Sequence, residues 1–341
     1  MASLIDVNNV VWKENENFLN LPINILAETK ECLTSMNMET VVFSNLSRSN
    51  VKGSVQHQLL DMCLKQSLER LKSLITDDDK LRWWMSHRNE ESGAWLRVKP
   101  IYQKLVIPNH IYRTSLRYRC HLPNAQYVVG SKCTCNAPLD SFGHHLATNC
   151  AKGGERFITH NAIKYELNNI LSYAGYYTKI EEQQLFNDNG INGSAVARNL
   201  RPDISIINPV GSVHTRLLLD VGVTGALTGT PGSAAISYHN SKNRKYLQQS
   251  TSRGFGFLPI IFESSGLLHA EAKAFLKRVV KRAAELRRIS EDTLYEYFLK
   301  RLSLTLQRGI AEAITQRTAR VNSHSTVESD VGYYVDVITS A

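Results

Sequence analysis

The run Leu217-Leu218-Leu219-Asp220-Val221-Gly222-Val223 puts one carboxylate in the middle of an apolar, β-like stretch. A chain can bury such a strand only if something positive meets the acid, because an uncompensated charge in an apolar interior is expensive. A second β-like run begins at Arg201-Pro202-Asp203, and the chain between the two acids suffices for a hairpin through Asn208-Pro209 and Gly211-Ser212. Two carboxylates on neighbouring strands can share one hard cation, which takes oxygen ligands, polarises a phosphate and activates water.

The flanking pattern supplies a scaffold for these strands. Ile163, Leu167, Ile170 and Leu171 recur at helical spacing; strands follow over 176–181, 203–207 and 216–223, then a helix over 233–248 and a strand from Phe255 to Phe262. A long helix is marked by Leu268, Ala272, Phe275, Leu276, Val279, Ala283 and Leu286, and Ser290 caps a further helix to about 318. Helix, three strands, helix, strand, helix predicts an α/β sheet covered on both faces. Leu59, Leu60, Cys63, Leu64, Leu68 and Leu71 mark an earlier helical packing face. The expected regions are 1–123, mostly helical; 124–152, a zinc motif; 153–290, the α/β core; and 291–341, a C-terminal helix and tail.

Cys133-x-Cys135 followed by His145-x4-Cys150 offers three thiolates and an imidazole, a soft set that suits tetrahedral zinc in a structural role. His144 is the competing imidazole. Asn136, Pro138, Asp140 and Gly143 lie between the halves and allow a short loop to join them. Six cysteines in a chain of 341 residues make a disulfide framework the poorer explanation.

The formal net charge is +9, which favours an anionic partner. No run of eighteen apolar residues occurs, and the polar residues from Met1 to Asn20 do not read as a secretory signal, so a soluble, non-secreted protein without a membrane partner is expected. Lys242 and Lys245 stand on the helix after the acidic strands, where either reaches toward a bound phosphate. Lys273, Lys277, Arg278, Lys281 and Arg282, with Arg287 and Arg288, form a basic face suited to a nucleic-acid backbone, or simply to solvent.

Taken together, Ser92-Gly93-Ala94-Trp95-Leu96, the Cys/His motif with Phe142-Gly143-His144-His145, Gly153-Gly154, His160-Asn161, Arg201-Pro202-Asp203, Leu219-Asp220-Val221, Lys242-x2-Lys245-Tyr246 and Phe257-x-Pro259 resemble the C-terminal part of site-specific non-LTR retrotransposon polyproteins. There a zinc motif precedes a restriction-like endonuclease of the PD-(D/E)XK superfamily. The resemblance covers about residues 90–290. It implies a DNA endonuclease with Asp203 and Asp220 holding magnesium or manganese, and structural zinc on Cys133, Cys135, His145 and Cys150. The superfamily's usual lysine position is Gly222 here, and by the same resemblance Lys242, then Lys245, takes its place. Glu166 sits where some members carry another acid. The partner implied is DNA, or RNA of a parent retroelement, and the location nuclear in a eukaryote and otherwise cytoplasmic. No polymerase motif is found. A catalytically inactive nucleic-acid-binding module of the same fold is the alternative. Arg253-Gly254-Phe255-Gly256-Phe257 imitates an RNA-recognition signature, but its partner-like Val42–Leu46 is too distant and Pro259 would interrupt a central strand.

Overall fold

The computed structural model describes residues 65–325 except 66, 71, 125–131, 151, 153, 184, 187–200 and 226–229. The chain divides into two compact units, Met1–Asp77 and Asp78–Ala341. In the first, the described residues between 65 and 74 are helical. Leu59, Leu60, Cys63, Leu64 and Leu71 of the expected packing face lie outside the described residues. The second unit begins at Asp78, so the tryptophan-bearing helices fold together with the Cys/His motif and the sheet.

The second unit opens with α1 (Asp78–Ser86) and α2 (Asn109–Arg119), followed by the Cys/His segment with a π turn at His145–Asn149. Then come α3 (Glu155–Tyr173), β1 (Tyr177–Ile180), β2 (Ile204–Ile207), β3 (Arg216–Thr224), α4 (Ser233–Thr251), β4 (Gly256–Glu263), α5 (Ala270–Arg287) and α6 (Glu291–Ser325). The elements match the sequence expectation from 153 onward to within a few residues, except that α6 runs about seven residues further. Among the described residues the sheet has four strands in the order β1-β2-β3-β4, with β1, β2 and β3 antiparallel and β4 parallel to β3. The fold is mixed α/β, with helices on both faces.

The pleat of β3 sorts its side chains. Leu219 and Val221 join the large core formed with Ile204, Ile206, Leu258 and Ile260 and the inner faces of α3, α5 and α6. Leu218 points the other way, to Tyr246 of α4 and to Phe186. Asp220 and Gly222 therefore face α4. Pro259 is tolerated because β4 lies at the sheet edge among the described strands, paired on one side only, where it stands beside Asp220 in register. Residues 255–257 thus enter this edge strand, not an RNA-recognition sheet.

The C-terminal helix is part of the core. Leu294, Phe298, Leu302, Leu306, Ile310 and Ile314 are at most 5% exposed and pack in the same cluster as Ile163, Leu167 and Leu171 of α3. Burying such a side chain contributes about 1.5–3 kcal/mol. Glu166, a sequence candidate for an additional acid, is taken up here: its carboxylate meets the Arg301 guanidinium at 2.5 and 2.8 Å, so it joins α3 to α6.

At the other end of α6, an aromatic cluster braces the Cys/His segment. Trp83 is 1% exposed, donates its indole N–H to the Tyr118 carbonyl at 3.1 Å, and packs against the rings of His87, Tyr118 and His144. Burial holds the His87 imidazole down at about 3, although the Trp83 carbonyl at 2.8 Å from Nδ1 pulls it upward. The folded state therefore keeps His87 neutral at pH values where the unfolded chain binds a proton. Its stabilising contribution is complete above about 6.5 and is lost as pH falls toward 3. We expect the melting temperature to drop on acidification from pH 7 to 4, and His87→Gln to reduce the slope of that decline in a thermal-denaturation series.

Candidate metal and acid sites

The turn Cys133–Ala137 explains how a one-residue spacing between cysteines is accommodated. Cys133 N–H donates to the Ala137 carbonyl at 2.9 Å, Asn136 N–H to the Cys133 carbonyl at 2.7 Å, and Asn136 takes φ 67°, a left-handed conformation that asparagine tolerates. Gly143 opens the second half with φ +91°, and a Cβ there would press on Ile314 at 3.0 Å. Asp140 caps the π turn: Oδ1 accepts from the amides of Phe142, Gly143 and His144 at 3.1, 2.7 and 2.9 Å, and Oδ2 from His145 at 2.8 Å.

These two turns bring the ligand atoms of Cys133, Cys135, His145 and Cys150 within 4.8 Å of one another. Cys133 and Cys150 sulfurs are 3.5 Å apart, and Cys135 Sγ is 3.2 Å from His145 Nε2. Tetrahedral zinc with metal–sulfur bonds of about 2.3 Å needs ligand separations of roughly this size, so the cluster can hold a metal ion such as zinc. Burial raises the Cys133 thiol, but the Cys135 amide and the polar groups of His145, Cys150 and Thr134 outweigh it and bring it down to about 6. Arg317 Nη2 lies 2.9 Å from Cys150 Sγ and 3.3 Å from Cys133 Sγ, a cation suited to a thiolate-rich site. His144 is elsewhere: it is 6% exposed, its Nδ1 is 3.3 Å from the Tyr118 hydroxyl, and burial lowers it to about 4. Of the two imidazoles, His145 is the one that lies in the cluster.

The second site forms where β2 and β3 meet α3 and α4. Ile204 pairs with Leu219, which sets Asp203 directly across from Asp220. They are 8% and 3% exposed. Asp203 Oδ2 accepts from the Val221 amide at 2.7 Å and meets His160 Nε2 at 3.0 Å. Lys242 reaches down from α4 to 2.5 Å from Asp220 Oδ2, an ion pair whose alignment leaves that oxygen short of a well-formed hydrogen bond. Burial pushes the Asp220 carboxyl up, the Lys242 charge opposes this, and Asp203 adds to it. Burial also disfavours the Lys242 ammonium, yet Asp220 more than offsets this and raises Lys242 above the ordinary lysine range. His160 is likewise raised: burial lowers it, and the hydrogen bond and charge of Asp203 prevail.

Gly222 shows why the cation comes from α4. A Cβ at this position would lie 2.6 Å from Tyr238 Cε1 and 2.7 Å from Ile261 Cδ1. No lysine fits there; the Tyr238 ring fills the space, and Lys242 Nζ sits 5.3 Å from its centroid. Lys245, the other candidate, is exposed and lies over the Tyr246 ring at 4.9 Å, apart from the acids.

Sequence reasoning left the role of His160 open and missed Lys164 and Glu181. Lys164 is 1% exposed, one helical turn beyond His160; it ion-pairs with Glu181 and donates to Asn161 Oδ1 at 2.9 Å. Glu181 N–H in turn donates to the Asp203 carbonyl at 2.9 Å. A lysine beside Ile163 and in step with Leu167 on a core-facing helix was the available signal. A cleft of about 360 Å³ is lined by Arg156, Phe157, His160, Gly222, Tyr238 and Lys242 among others, so of this group His160 and Lys242 reach it.

The basic residues of α5 are not at this cleft. Lys273 is ion-paired with Glu91, and Arg282 donates to the Ala174 carbonyl at 2.9 Å, so both are structural. Lys277, Arg278 and Lys281 are exposed. Arg278 and Lys281 line a second groove with Tyr176, Leu217 and Phe275, toward the opposite end of β3. Arg287 donates to the Tyr173 carbonyl, and Arg288 ends α5 with φ 56°.

The chain matches no protein-family model, and no curated protein is significantly similar to it.

Two outcomes are expected. Removing Lys242 leaves Asp220 uncompensated and pushes its carboxyl further up, so the variant loses stability as pH rises through that value. Lys242→Ala should melt earlier at pH 8 than at pH 5 relative to the parent, and added Asp220→Asn should restore most of the loss, whereas Lys245→Ala stays within about 0.5 kcal/mol of the parent. Elemental analysis should find one zinc per chain, and Cys150→Ser should lose it and unfold early, since structural zinc contributes folding free energy directly.

Proposed function

We propose that this chain is a divalent-metal-dependent DNA endonuclease with a separate structural zinc site on Cys133, Cys135, His145 and Cys150. The observation that carries the reading is the group Asp203, Asp220 and Lys242: two buried acids in register on adjacent strands, with an ammonium 2.5 Å from one of them. A helix, three antiparallel strands, a helix and a fourth strand parallel to the third is also the arrangement expected of the PD-(D/E)XK core that the sequence resembles. The retroelement origin rests on the sequence resemblance alone.

The acids fit magnesium or manganese, which take one or two carboxylates together with waters and substrate phosphate oxygens. Asp220 is buried and faces Asp203 across the strands, so Lys242 is the one cation paired with it among the described residues and a divalent ion would serve both acids. The hydrogen bonds of Asp203 to the Val221 amide and to His160 both fall on Oδ2, which orients the carboxylate. When bound, the ion supplies Lewis-acid polarisation of the phosphate and a nucleophilic water.

The chain's own residues do the rest. His160 and the Val221 amide hold Asp203 in one orientation. Lys242, kept charged by its raised pKa, stabilises negative charge developing on the attacked phosphate. The Lys242 side chain is 17% exposed, so water screens that charge only in part. With magnesium, the protein should convert supercoiled plasmid to nicked or linear forms. Asp203→Ala and Asp220→Ala should abolish cleavage with DNA binding retained, and Lys242→Ala should reduce the rate about a hundredfold to a thousandfold. Turnover within tenfold of the parent in both aspartate variants would rule out this site and leave the nucleic-acid-binding module.

A further inference from the structure

The cleft above the acids carries a feature that the metal and Lys242 leave unused. Phe157, in the first turn of α3, lines it with 56% of its surface exposed, and the Arg156 guanidinium stands 5.0 Å from its ring centroid. Arg156 makes no ion pair among the described residues. Tyr238 contributes a second aromatic from α4, and Thr148 and Ala147 complete the lining from the π turn of the Cys/His segment. A single exposed aromatic on a surface is ordinary. Here it is joined to an uncompensated guanidinium and opens on the same cleft as His160 and Lys242, the residues that contact the two acids.

The dimensions narrow the choice of ligand. At about 360 Å³ the cleft lies at the low end of pockets that enclose a small ligand. The acids behind it are 8% and 3% exposed. One nucleotide fits such a space; both strands of a continuous duplex do not. Aromatic rings beside a cation are the pairing that holds single-stranded nucleic acid, by stacking on a base of any sequence and attracting its phosphate.

We infer that Phe157 and Arg156 form a subsite for an unpaired nucleotide next to the attacked phosphate, so that the enzyme acts on DNA strands that are not held in continuous duplex. This rests on the nuclease reading of Asp203 and Asp220. Stacking on Phe157 is sequence-tolerant, and Arg156 contributes one salt-sensitive phosphate contact.

The test uses the zinc-loaded full chain, with calcium replacing magnesium to prevent turnover. Anisotropy of a labelled oligothymidylate is compared with that of the same strand annealed to its complement. The single strand should bind at least about tenfold tighter. Phe157→Ala should weaken it about five- to a hundredfold while changing duplex binding less than about twofold, and Phe157→Trp should retain it. Arg156→Gln should lower the salt slope by about one contact. Phe157 is exposed, so an unchanged melting curve serves as the folding control. Equal binding by Phe157→Ala, or a parental preference for duplex, overturns the subsite. Magnesium-driven cleavage read in parallel separates the two claims. Cleavage that needs Asp220 but not Phe157 removes the subsite and keeps the nuclease. Strand binding that needs Phe157, with no cleavage of any substrate, keeps the subsite and removes the nuclease.

Discussion

Asp220 is 3% exposed between Leu219 and Val221 in the middle of β3, and a carboxylate buried there needs a charge partner within a few ångströms. The chain meets that need from α4. The pleat turns Asp220 and Gly222 toward α4, the missing side chain of Gly222 admits the Tyr238 ring, and Lys242 one turn later descends onto the acid. Had position 222 carried any side chain, Tyr238 and Ile261 would have had to move, and the approach of α4 to β3 would change with them. The position of α4 over the sheet and the chemistry of the acids are therefore one problem with one solution.

A second set of charges joins the Cys/His segment and the start of α3 to α6. Arg317 on α6 contacts the sulfurs of Cys133 and Cys150 and lies 3.4 Å from Glu155, which is 2% exposed and also meets Arg320 at 2.6 Å. Glu155 begins α3, the helix that presents Phe157 and His160 to the cleft. The Cys/His segment, the C-terminal helix and the start of α3 are thus held by Glu155 and Arg317 in a poorly solvated region, with Arg320 at its exposed edge. Breaking one link strands its neighbours, which costs more than a surface pair would.

The distribution of basic residues follows from packing. On α5 the apolar face is used by the core, and two of the cations beside it are drawn into local bonds, Lys273 to Glu91 and Arg282 to the Ala174 carbonyl. Arg278 and Lys281 remain at a groove near Leu217, whereas the acid cleft opens beside Val221 to Thr224. A helix rich in lysine and arginine does not locate the reactive end of a sheet; the register of the strands does.

How much was legible in advance can be judged residue by residue. Hydrophobic periodicity in 163–171 and 272–286 determined α3 and α5, because 3.6-residue spacing can bury one stripe only as a helix. The apolar runs around Asp203 and Asp220 determined two strands, and the three cysteines beside the His144-His145 pair determined a metal-sized cluster, because three soft ligands and an imidazole so closely spaced suit a tetrahedral metal. These are local properties of the chain. Tertiary structure alone decided that His145 and not His144 completes the cluster, since both imidazoles are adjacent and only the Trp83–Tyr118 pocket distinguishes them. It set Lys242, the resemblance's first choice, against Asp220 and left Lys245 over Tyr246, and it alone removed Glu166 to Arg301 and brought His160, Lys164 and Glu181 around Asp203. Those choices depend on which residues, far apart in the chain, share one poorly solvated volume, and spacing along the sequence carries no information about that.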